Sequence, residues 1–229
     1  MAERPLFTLS PRLACIAGFI PDGARLADVG SDHAYLPIHL LREGKIAHAI
    51  ASDISQPCVV RARANALRYR VPASQLDVRL SDGLRGIAPD EVDTIVIAGM
   101  GGETISDILT AAPWTHDGKL LILHPASKGP VLRQWCMDNG FGIVDEQLVQ
   151  EGHRIYPILV VRGDAPVRRE HRFTIASAPV WERSDAVTLE YLRRQRLYLS
   201  RELDHQAENA DIIAVLDERL GNHDRTDNL

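Results

Sequence analysis

The chain has 229 residues, of which 45% are hydrophobic and 25% are charged, and its formal net charge is −5. Such a composition is ordinary for a globular protein with a sizeable core, and it excludes disordered and fibrous proteins. The longest apolar runs fall far short of the roughly 18 residues that cross a membrane. We therefore expect no transmembrane helix.

Cysteine usage and the N-terminus indicate a reducing compartment. Cys15, Cys58 and Cys136 are odd in number, widely separated and without CxxC spacing, which argues against a disulfide framework or a metal site. The first ten residues lack the basic start and the apolar core of a secretory signal. We expect a cytoplasmic protein that binds no metal and no membrane, with a monomer favoured over an oligomer.

Helices and strands alternate along the first 162 residues. Ser10 and Pro11 predict the start of a helix over residues 12–20, because serine caps a helix and proline suits its first turn. The predicted strands that follow cover residues 26–29, 46–53, 76–80, 93–98, 120–123, 141–149 and 156–162. The predicted helices between them cover residues 33–42, 55–70, 102–112 and 131–139. The second of these is expected to bury Val59, Val60, Ala64 and Leu67.

Strands that alternate with helices and end in two adjacent strands predict a parallel sheet with an antiparallel final hairpin. This α/β arrangement is the Rossmann-like sheet of a class I methyltransferase, because ordinary dinucleotide-binding folds continue the β-α-β pattern to the end. We place the end of this domain at residue 162 and expect residues 163–229 to form a small helical domain. Within it, a seven-residue apolar spacing after Ser184 favours a coiled-coil-like long helix or a helical hairpin, with a break near residues 205–209.

The stretch LADVGSDHAYLP, residues 26–37, is typical of a nucleotide-binding turn at the carboxyl edge of such a sheet. A buried strand meets Gly30, but positions 32 and 35 hold Asp and Tyr, so the G-x-G-x-x-G fingerprint of dinucleotide binding is missing. One glycine between Asp28 and Asp32 suits a ligand that carries hydroxyls and a cation but no pyrophosphate. S-adenosylmethionine is such a ligand.

Acidic residues at the ends of three successive predicted strands support this interpretation. We expect Asp28 and Gly30 to line the amino-acid side of the cofactor, and Asp53 to accept from both ribose hydroxyls. Asp82 and Gly83 are placed to meet the adenine. An aspartate after a strand is more often a helix cap than a ligand contact, but three acids at the expected offsets favour ligand binding.

Over roughly residues 9–162 the chain resembles the bacterial tRNA (adenine-N1)-methyltransferases that modify position 22 in the D arm. The resemblance lies in RLADVGSDHAYLPIHLL, ASDI, SDGL, IAGMGGETI and LRQWCMDNGFGIVDEQLV. It implies methyl transfer from S-adenosylmethionine to tRNA, and a class I domain followed by a helical, coiled-coil-like domain. It also implies that the cofactor and target-base pocket is lined by Asp28, Gly30, Ser31, Asp32, His33, Asp53, Asp82, Gly83, Ala98, Gly99, Met100, Gly101 and Gly102.

The chemistry of this reaction requires mainly positioning, because adenine N1 has a lone pair in the ring plane and the sulfonium methyl group is a strong electrophile. We expect a flipped-out base whose N6 amine donates to backbone carbonyls near Ala98 to Met100, with Met100 or Tyr35 packed on the ring. The methylated base is cationic. Asp32 is therefore expected to stabilise it or to remove the N6 proton, with His124 as the other candidate.

The cations of the chain are almost all arginines, and several lie late in the sequence. Residues 162–202 carry nine arginines against six acids. We expect tRNA to contact this region, with an ordinary solvated helix surface as the alternative. The candidate arginines are Arg168, Arg169, Arg172, Arg193, Arg194, Arg196 and Arg201.

Two other functions stay open at this point. One is methyl transfer from the same cofactor to a different RNA, a protein or a small molecule. The other is an RNA-binding module that keeps the fold without turnover. NAD-dependent oxidoreduction is excluded by the missing second and third glycines after the first strand.

Overall fold

Seven strands form a single sheet in the computed structural model, which describes residues 6–201 and 206–226. The strands are β1 (Arg25–Val29), β2 (His48–Asp53), β3 (Leu76–Leu80), β4 (Thr94–Gly101), β5 (Leu120–Ser127), β6 (Gly142–Glu151) and β7 (Arg154–Arg162). Their order across the sheet is β3-β2-β1-β4-β5-β7-β6. The first five are parallel, and β7 is antiparallel to both β5 and β6. The predicted parallel sheet with an antiparallel final hairpin is confirmed.

Eight α-helices accompany the sheet within the described residues. They are α1 (Pro11–Phe19), α2 (Tyr35–Arg42), α3 (Gln56–Arg68), α4 (Gly102–Thr110), α5 (Gly129–Asp138), α6 (Ala178–Trp181), α7 (Ala186–Arg201) and α8 (Gln206–Thr226). Ser10 caps α1 as predicted, since its hydroxyl accepts from the Leu13 N–H at 3.4 Å. Short 3₁₀ turns span Pro113–His116 and His171–Thr174.

The helices cover both faces of the sheet. Ile16 of α1, Ile38 of α2 and Val59 of α3 pack against one face in one apolar cluster. Ile105 of α4 and Leu132 of α5 pack against the other face in a second cluster. Successive strand residues point to opposite faces, and so the central strands are buried on both sides and consist almost entirely of apolar residues.

The buried side of α3 differs from the prediction. Val59 is buried as expected, but Ala64 is exposed, Val60 is 55% exposed and Leu67 is 79% exposed. The helix instead buries Ala62 and Ala66, because small side chains let the helix lie close to β2 and β3. Apolar side chains alone therefore suggested the wrong rotation of this helix about its axis.

Several element boundaries also differ from the predictions, and three of them bear on the carboxyl edge of the sheet. The second helix begins at Tyr35 rather than at residue 33, because Ala34 has a left-handed backbone conformation with φ 54°. The fourth and fifth strands continue past their predicted ends, to Gly101 and Ser127. Both extensions lie at the carboxyl edge of the sheet.

A third apolar cluster joins the C-terminal helices to the final hairpin. Phe173, Val180 and Leu192 pack together in this cluster and contact Leu148 of β6 and Ile155 of β7. Helices α7 and α8 contact one another, which supports the helical hairpin over the single long helix. Residue 205 of the predicted break lies outside the described residues, whereas residues 206–209 already belong to α8. The domain boundary at residue 162 stays a prediction.

Within the described ranges, none of the helices combines the length and the apolar character needed to cross a membrane. Nor do the described residues contain a group of three or more His, Cys, Asp or Glu side chains that could hold a metal ion.

Candidate active site

A cavity of about 510 Å³ lies at the carboxyl ends of β1 to β4, with α4 as its opposite wall. Pockets of this volume are typical of small-molecule and cofactor sites. The carboxyl ends of the parallel strands all lie at this edge of the sheet. Residues that are distant in sequence therefore come together there. Seven of the predicted site residues line the cavity: Gly30, Asp53, Asp82, Gly83, Ala98, Gly99 and Met100.

The turn after β1 is closely packed. Gly30 has φ 71°, a left-handed conformation that favours glycine, and its N–H donates to the Ser52 carbonyl at 2.8 Å. A Cβ at this position would lie only 2.1 Å from Cε of Met100. A side chain at residue 30 would thus both strain the turn and displace Met100 from the cavity wall.

Asp28 is buried beneath this turn and does not itself line the cavity. The Ser31 hydroxyl donates to its carboxylate at 2.5 Å. Burial raises the pKa of Asp28 to about 6, the Ser31 hydrogen bond opposes this rise, and the nearby Asp53 carboxylate adds to it. A buried carboxylate whose charge is disfavoured in this way would gain from a cationic ligand group nearby.

The carboxylate of Asp53, at the end of β2, is held by backbone donors. One oxygen accepts from the Ser55 N–H at 2.8 Å and the other from the Asp32 N–H at 3.1 Å. These bonds fix the orientation of the side chain at the cavity wall. Carboxylate oxygens have further acceptor capacity, and Asp53 can therefore still accept from ligand hydroxyls.

The third strand end is more open. Asp82 is exposed and lies 3.6 Å from the Arg85 guanidinium. Gly83 has φ 57°, and a Cβ there would approach Ile108 of α4 to 3.1 Å. The glycine thereby allows α4 to come close to this side of the cavity.

The end of β4 contributes backbone to the cavity wall. Ala98, Gly99 and Met100 line the cavity, and the pairing with β5 is irregular at this point. Gly101 and Gly102 lie outside the cavity, where Gly101 precedes the first turn of α4. A Cβ on Gly102 would lie 2.2 Å from the Lys128 carbonyl oxygen. Only glycine therefore fits at residue 102, because the start of α4 packs closely against the turn before α5.

His124 is fully buried and does not line the cavity. Its Nδ1 accepts from the Gly99 N–H at 3.0 Å. Burial lowers the pKa of His124 to about 4, with a further contribution from the Arg12 charge and an opposing one from Glu151. The imidazole is therefore neutral at physiological pH.

The second half of the opening turn lies beside the cavity rather than in its wall. The Asp32 carboxylate pairs with the Arg61 guanidinium at 2.6 Å and lies 3.3 Å from the His33 imidazole. Partial burial raises the pKa of Asp32, but hydrogen bonds from Arg61 and Cys58 outweigh it and hold the pKa below its ordinary value. His33 stacks on Tyr35 with ring centroids 5.2 Å apart, and Tyr35 remains 37% exposed.

Sequence reasoning missed several residues of the cavity wall. Ile54 follows Asp53 directly and is 70% exposed, although an isoleucine usually lies in the core. Thr104 and Ile108 of α4 face the cavity one helical turn apart. The position of Ile54, directly after the acid that ends a strand, could have been used to predict that it lines the cavity. No signal in the sequence alone could show which side of α4 faces the cavity.

The predicted RNA-contacting arginines do not form one surface. Arg168 lines a separate cavity of about 370 Å³ with Phe141 and Ile143, near the start of β6 and thus at the opposite edge of the sheet. Arg194 lies at the carboxyl edge, since it donates to the His153 carbonyl in the β6–β7 turn at 2.5 Å. Arg168 and Arg194 therefore lie at opposite edges.

Several of these arginines interact with other groups of the same chain. Arg194 also pairs with Glu190 at 2.6 Å, and Arg196 pairs with Asp217 at 2.7 Å. Arg172 lies over the rings of Phe173 and Trp181. The side chains of Arg169, Arg193 and Arg201 are exposed, and Arg193 also interacts within the chain.

The sheet order, the antiparallel β7 and the cavity at the carboxyl edge together define a class I methyltransferase domain. Residues 9–159 match the methyltransferase domain family. Over 156 residues the chain is 39% identical to the tRNA (adenine(22)-N(1))-methyltransferase of Bacillus subtilis, covering 68% of this chain and 65% of that relative. The chain belongs to the tRNA (adenine(22)-N1)-methyltransferase family.

Solved structures agree with this assignment. Sp1610 of Streptococcus pneumoniae, provisionally described as a tRNA (m1A22) methyltransferase and solved with S-adenosyl-L-methionine, is 32% identical and superimposes with a TM-score of 0.83. The match covers 93% of this chain and all of that one. The B. subtilis m1A22 tRNA methyltransferase TrmK is 29% identical over 95% of this chain and 98% of its own, with a TM-score of 0.77.

The chain spans less than two thirds of the length of the curated relatives that it matches. The matched shares are 65% of the B. subtilis enzyme and 60% of the putatively named tRNA methyltransferase MG248 of Mycoplasma genitalium. The sequence similarity to these relatives thus supports the methyltransferase domain most directly.

Proposed function

We propose that this protein transfers the methyl group of S-adenosylmethionine to N1 of an adenosine in tRNA, at position 22 of the D arm. The observation that carries the proposal is the cavity at the carboxyl edge, where the predicted acids and glycines of four strand ends meet. The membership of the tRNA (adenine(22)-N1)-methyltransferase family supports both the substrate and the position. We expect the protein to act in the cytoplasm.

The residues of the cavity fit S-adenosylmethionine. The negative charge of Asp28, which lies beneath the Gly30 turn, would favour a cationic amino group at that end of the cavity, and Asp53 has free acceptor capacity for the ribose hydroxyls. Ile54 and Ile108 provide apolar surface for the adenine, with Asp82, Gly83, Gly99 and Ala98 around it. When bound, the cofactor would supply an electrophilic methyl group on a sulfonium.

The target adenine would approach over Met100, whose position is fixed by its contact with Gly30. Backbone carbonyls of Ala98 to Met100 are the proposed acceptors for the N6 amine, which would distinguish adenine at this edge. The stacked His33 and Tyr35 lie beside the cavity and offer an aromatic surface for RNA bases. Positioning, rather than covalent catalysis, is therefore the role that we assign to these residues.

Asp32 retains its proposed electrostatic role, although Arg61 shares its charge. A carboxylate near the methylated base would favour the cationic product. If Asp32→Ala transferred methyl groups to tRNA at the wild-type rate, this role would be wrong. The matched control is Asp22→Asn, which changes an exposed acid in the turn before β1.

For tRNA docking we favour the arginines at the carboxyl edge over those at the opposite edge. Arg193 and Arg194 lie on the helix that contacts the β6–β7 turn at this edge. Reversal of both charges should raise the KM for tRNA at least about tenfold while the Kd for the cofactor stays unchanged, because phosphate contacts dominate affinity. Arg168→Glu, at the opposite edge, is the matched control and should leave both constants unchanged.

The central experiment incubates the purified protein with labelled S-adenosylmethionine and tRNA from cells that lack this modification. Digestion and mass spectrometry then identify the methylated nucleoside and its position. We expect 1-methyladenosine at position 22. A methyl group at another nucleotide would correct the position, and transfer to protein or to a small molecule alone would overturn the tRNA assignment.

A further inference from the structure

The end of β4 is held by a side chain where a regular sheet would use a backbone carbonyl. The pairing of β4 with β5 is regular as far as Ala98 and His124, and then shifts so that Met100 lies opposite Pro125. Gly99, with φ 85°, is passed over by this shift. Its N–H donates to Nδ1 of His124 at 3.0 Å. Irregular strand pairing of this kind is common beside active sites, where it changes the direction of the backbone.

The His124 ring is in a form suited to this single bond. It is fully buried, and because Nδ1 accepts a hydrogen bond, the ring proton of the neutral imidazole lies on Nε2. Nε2 is buried and has no hydrogen-bond partner within the described part of the chain. Leaving a buried donor unpaired is unfavourable, so the polar ring is retained here despite a cost to stability.

Neighbouring side chains fix the orientation of the ring. Tyr156 of β7 packs against His124 with ring centroids 5.1 Å apart and an interplanar angle of 72°. The Arg12 guanidinium lies over Tyr156 at 5.1 Å, and the Arg12 N–H donates to Glu151 at 2.8 Å. Contacts from the first helix and the final hairpin thereby fix the His124 ring, and the ring in turn accepts from the Gly99 N–H.

We propose that His124 is a positioning residue: by accepting from the Gly99 N–H it fixes the irregular end of β4, and with it the backbone that receives the target adenine. This inference rests on the proposed function. His124 touches neither the cofactor nor the base, and it transfers no proton. Gly99 and Met100 line the cavity, and a shift of the Gly99 peptide would therefore move the acceptors for the N6 amine.

Two variants separate positioning from catalysis. His124→Asn keeps an acceptor oxygen close to the place of Nδ1, whereas His124→Leu keeps much of the volume but removes the acceptor. Misplacement of reacting groups by about 1 Å can cost about a hundredfold in rate. We expect kcat on tRNA to fall about ten- to hundredfold in His124→Leu and to return to within about threefold of wild type in His124→Asn. The Kd for S-adenosylmethionine should stay within about threefold in both.

The pH profile and an activity-independent measurement complete the test. The profile of kcat/KM between pH 6 and 9 should be the same for wild type and His124→Asn, because the residue transfers no proton. The Gly99 amide should be protected from hydrogen exchange in wild type and His124→Asn, and should exchange faster in His124→Leu. This second readout remains informative if the tRNA assignment itself fails.

Three results would overturn the proposal. One is wild-type kcat in His124→Leu. Another is an Asn variant that folds and protects the Gly99 amide but is as inactive as the Leu variant, since the imidazole itself would then be required. The third is unchanged Gly99 exchange in all variants. If His124→Leu fails to fold, Tyr156→Leu provides a second test, because it removes the ring that packs against His124 but keeps the acceptor. This variant should lower kcat about threefold to tenfold. An unchanged kcat would count against the proposal.

Discussion

Charged side chains have different kinds of partner at the cofactor cavity and in the C-terminal helices. At the cavity, the carboxylates of Asp28 and Asp53 accept from a hydroxyl and from backbone N–H groups. In the helical region, arginines pair with acids of the same chain, as Arg196 does with Asp217. At the junction with the sheet, Arg133 and Glu146 form a fully buried pair.

The kind of partner distinguishes charges that stabilise the fold from charges that remain able to bind a ligand. Glu146 and Arg196 already have partners within the fold, and their removal should mainly change stability. Arg194, which is paired but lies at the carboxyl edge, is the exception. An acid held only by neutral donors keeps its capacity for a cationic or hydroxylic ligand, and its removal should weaken binding. Four substitutions test this distinction, beginning with the largest expected effect.

Glu146→Ala should be the most destabilising change. It leaves Arg133 buried without its counter-ion and also removes the acceptor of the Ser177 N–H. Loss of one partner of a buried pair costs about 3–5 kcal/mol, which urea denaturation would measure. The double variant Arg133→Met with Glu146→Leu should recover most of this loss. A single variant within about 1 kcal/mol of wild type would show that the pair does not stabilise the junction.

Asp28→Asn should raise the stability of the ligand-free protein at neutral pH. The pKa of Asp28 is about 6 because of burial, whereas an unfolded aspartate has a pKa of about 4. The folded protein therefore holds the proton more tightly, and its stability falls as the pH rises from about 4 to about 6. The shift corresponds to at most about 3 kcal/mol above pH 6.

Unfolding measured from pH 4 to 7.5 should show this decline in the wild type and in the control Asp22→Asn, but not in Asp28→Asn. The same Asn variant should bind S-adenosylmethionine more weakly, because it lacks the negative charge beneath the Gly30 turn that would favour the cationic amino group. An unchanged pH dependence in Asp28→Asn would assign the decline to another group.

Asp53→Asn should weaken cofactor binding with little effect on stability. The amide oxygen can still accept one of the two backbone N–H bonds, but the charge-assisted bonds to ribose hydroxyls are lost. Such bonds are worth about 1.5–3 kcal/mol, so isothermal titration should show a Kd at least about tenfold higher. An affinity within about twofold of wild type would indicate that Asp53 only closes the turn.

Arg196→Ala should have the smallest effect. Exposed pairs such as Arg196 with Asp217 contribute about 0.2–1 kcal/mol, and the guanidinium is already engaged. We expect a small loss of stability in denaturant and no change in the KM for tRNA. A fivefold or larger rise in KM, about 1 kcal/mol, would mean that this arginine reaches the RNA and that pairing does not identify structural charges.

The sequence predicted the features that depend on local chemistry. Thr94 to Ala98 forms a strand because β-branched residues suit a sheet buried on both faces. Asp53, at the end of β2, and Gly30, after β1, could be assigned to the cavity because parallel strands end at the same edge of the sheet. The rotation of α3 could not be assigned, because its buried side includes Ala62, Asn65 and Ala66, which apolar periodicity does not distinguish from exposed positions.

The alternation of strands and helices along the chain, the single glycine of the first turn and the acids at the strand ends are thus properties of the sequence itself. The tertiary structure alone decided that Asp32 pairs with Arg61, 29 residues away, and that His124 faces inward to Gly99, 25 residues away. These partners lie on different elements. Their contact depends on how strands and helices pack, and neither composition nor periodicity records that packing.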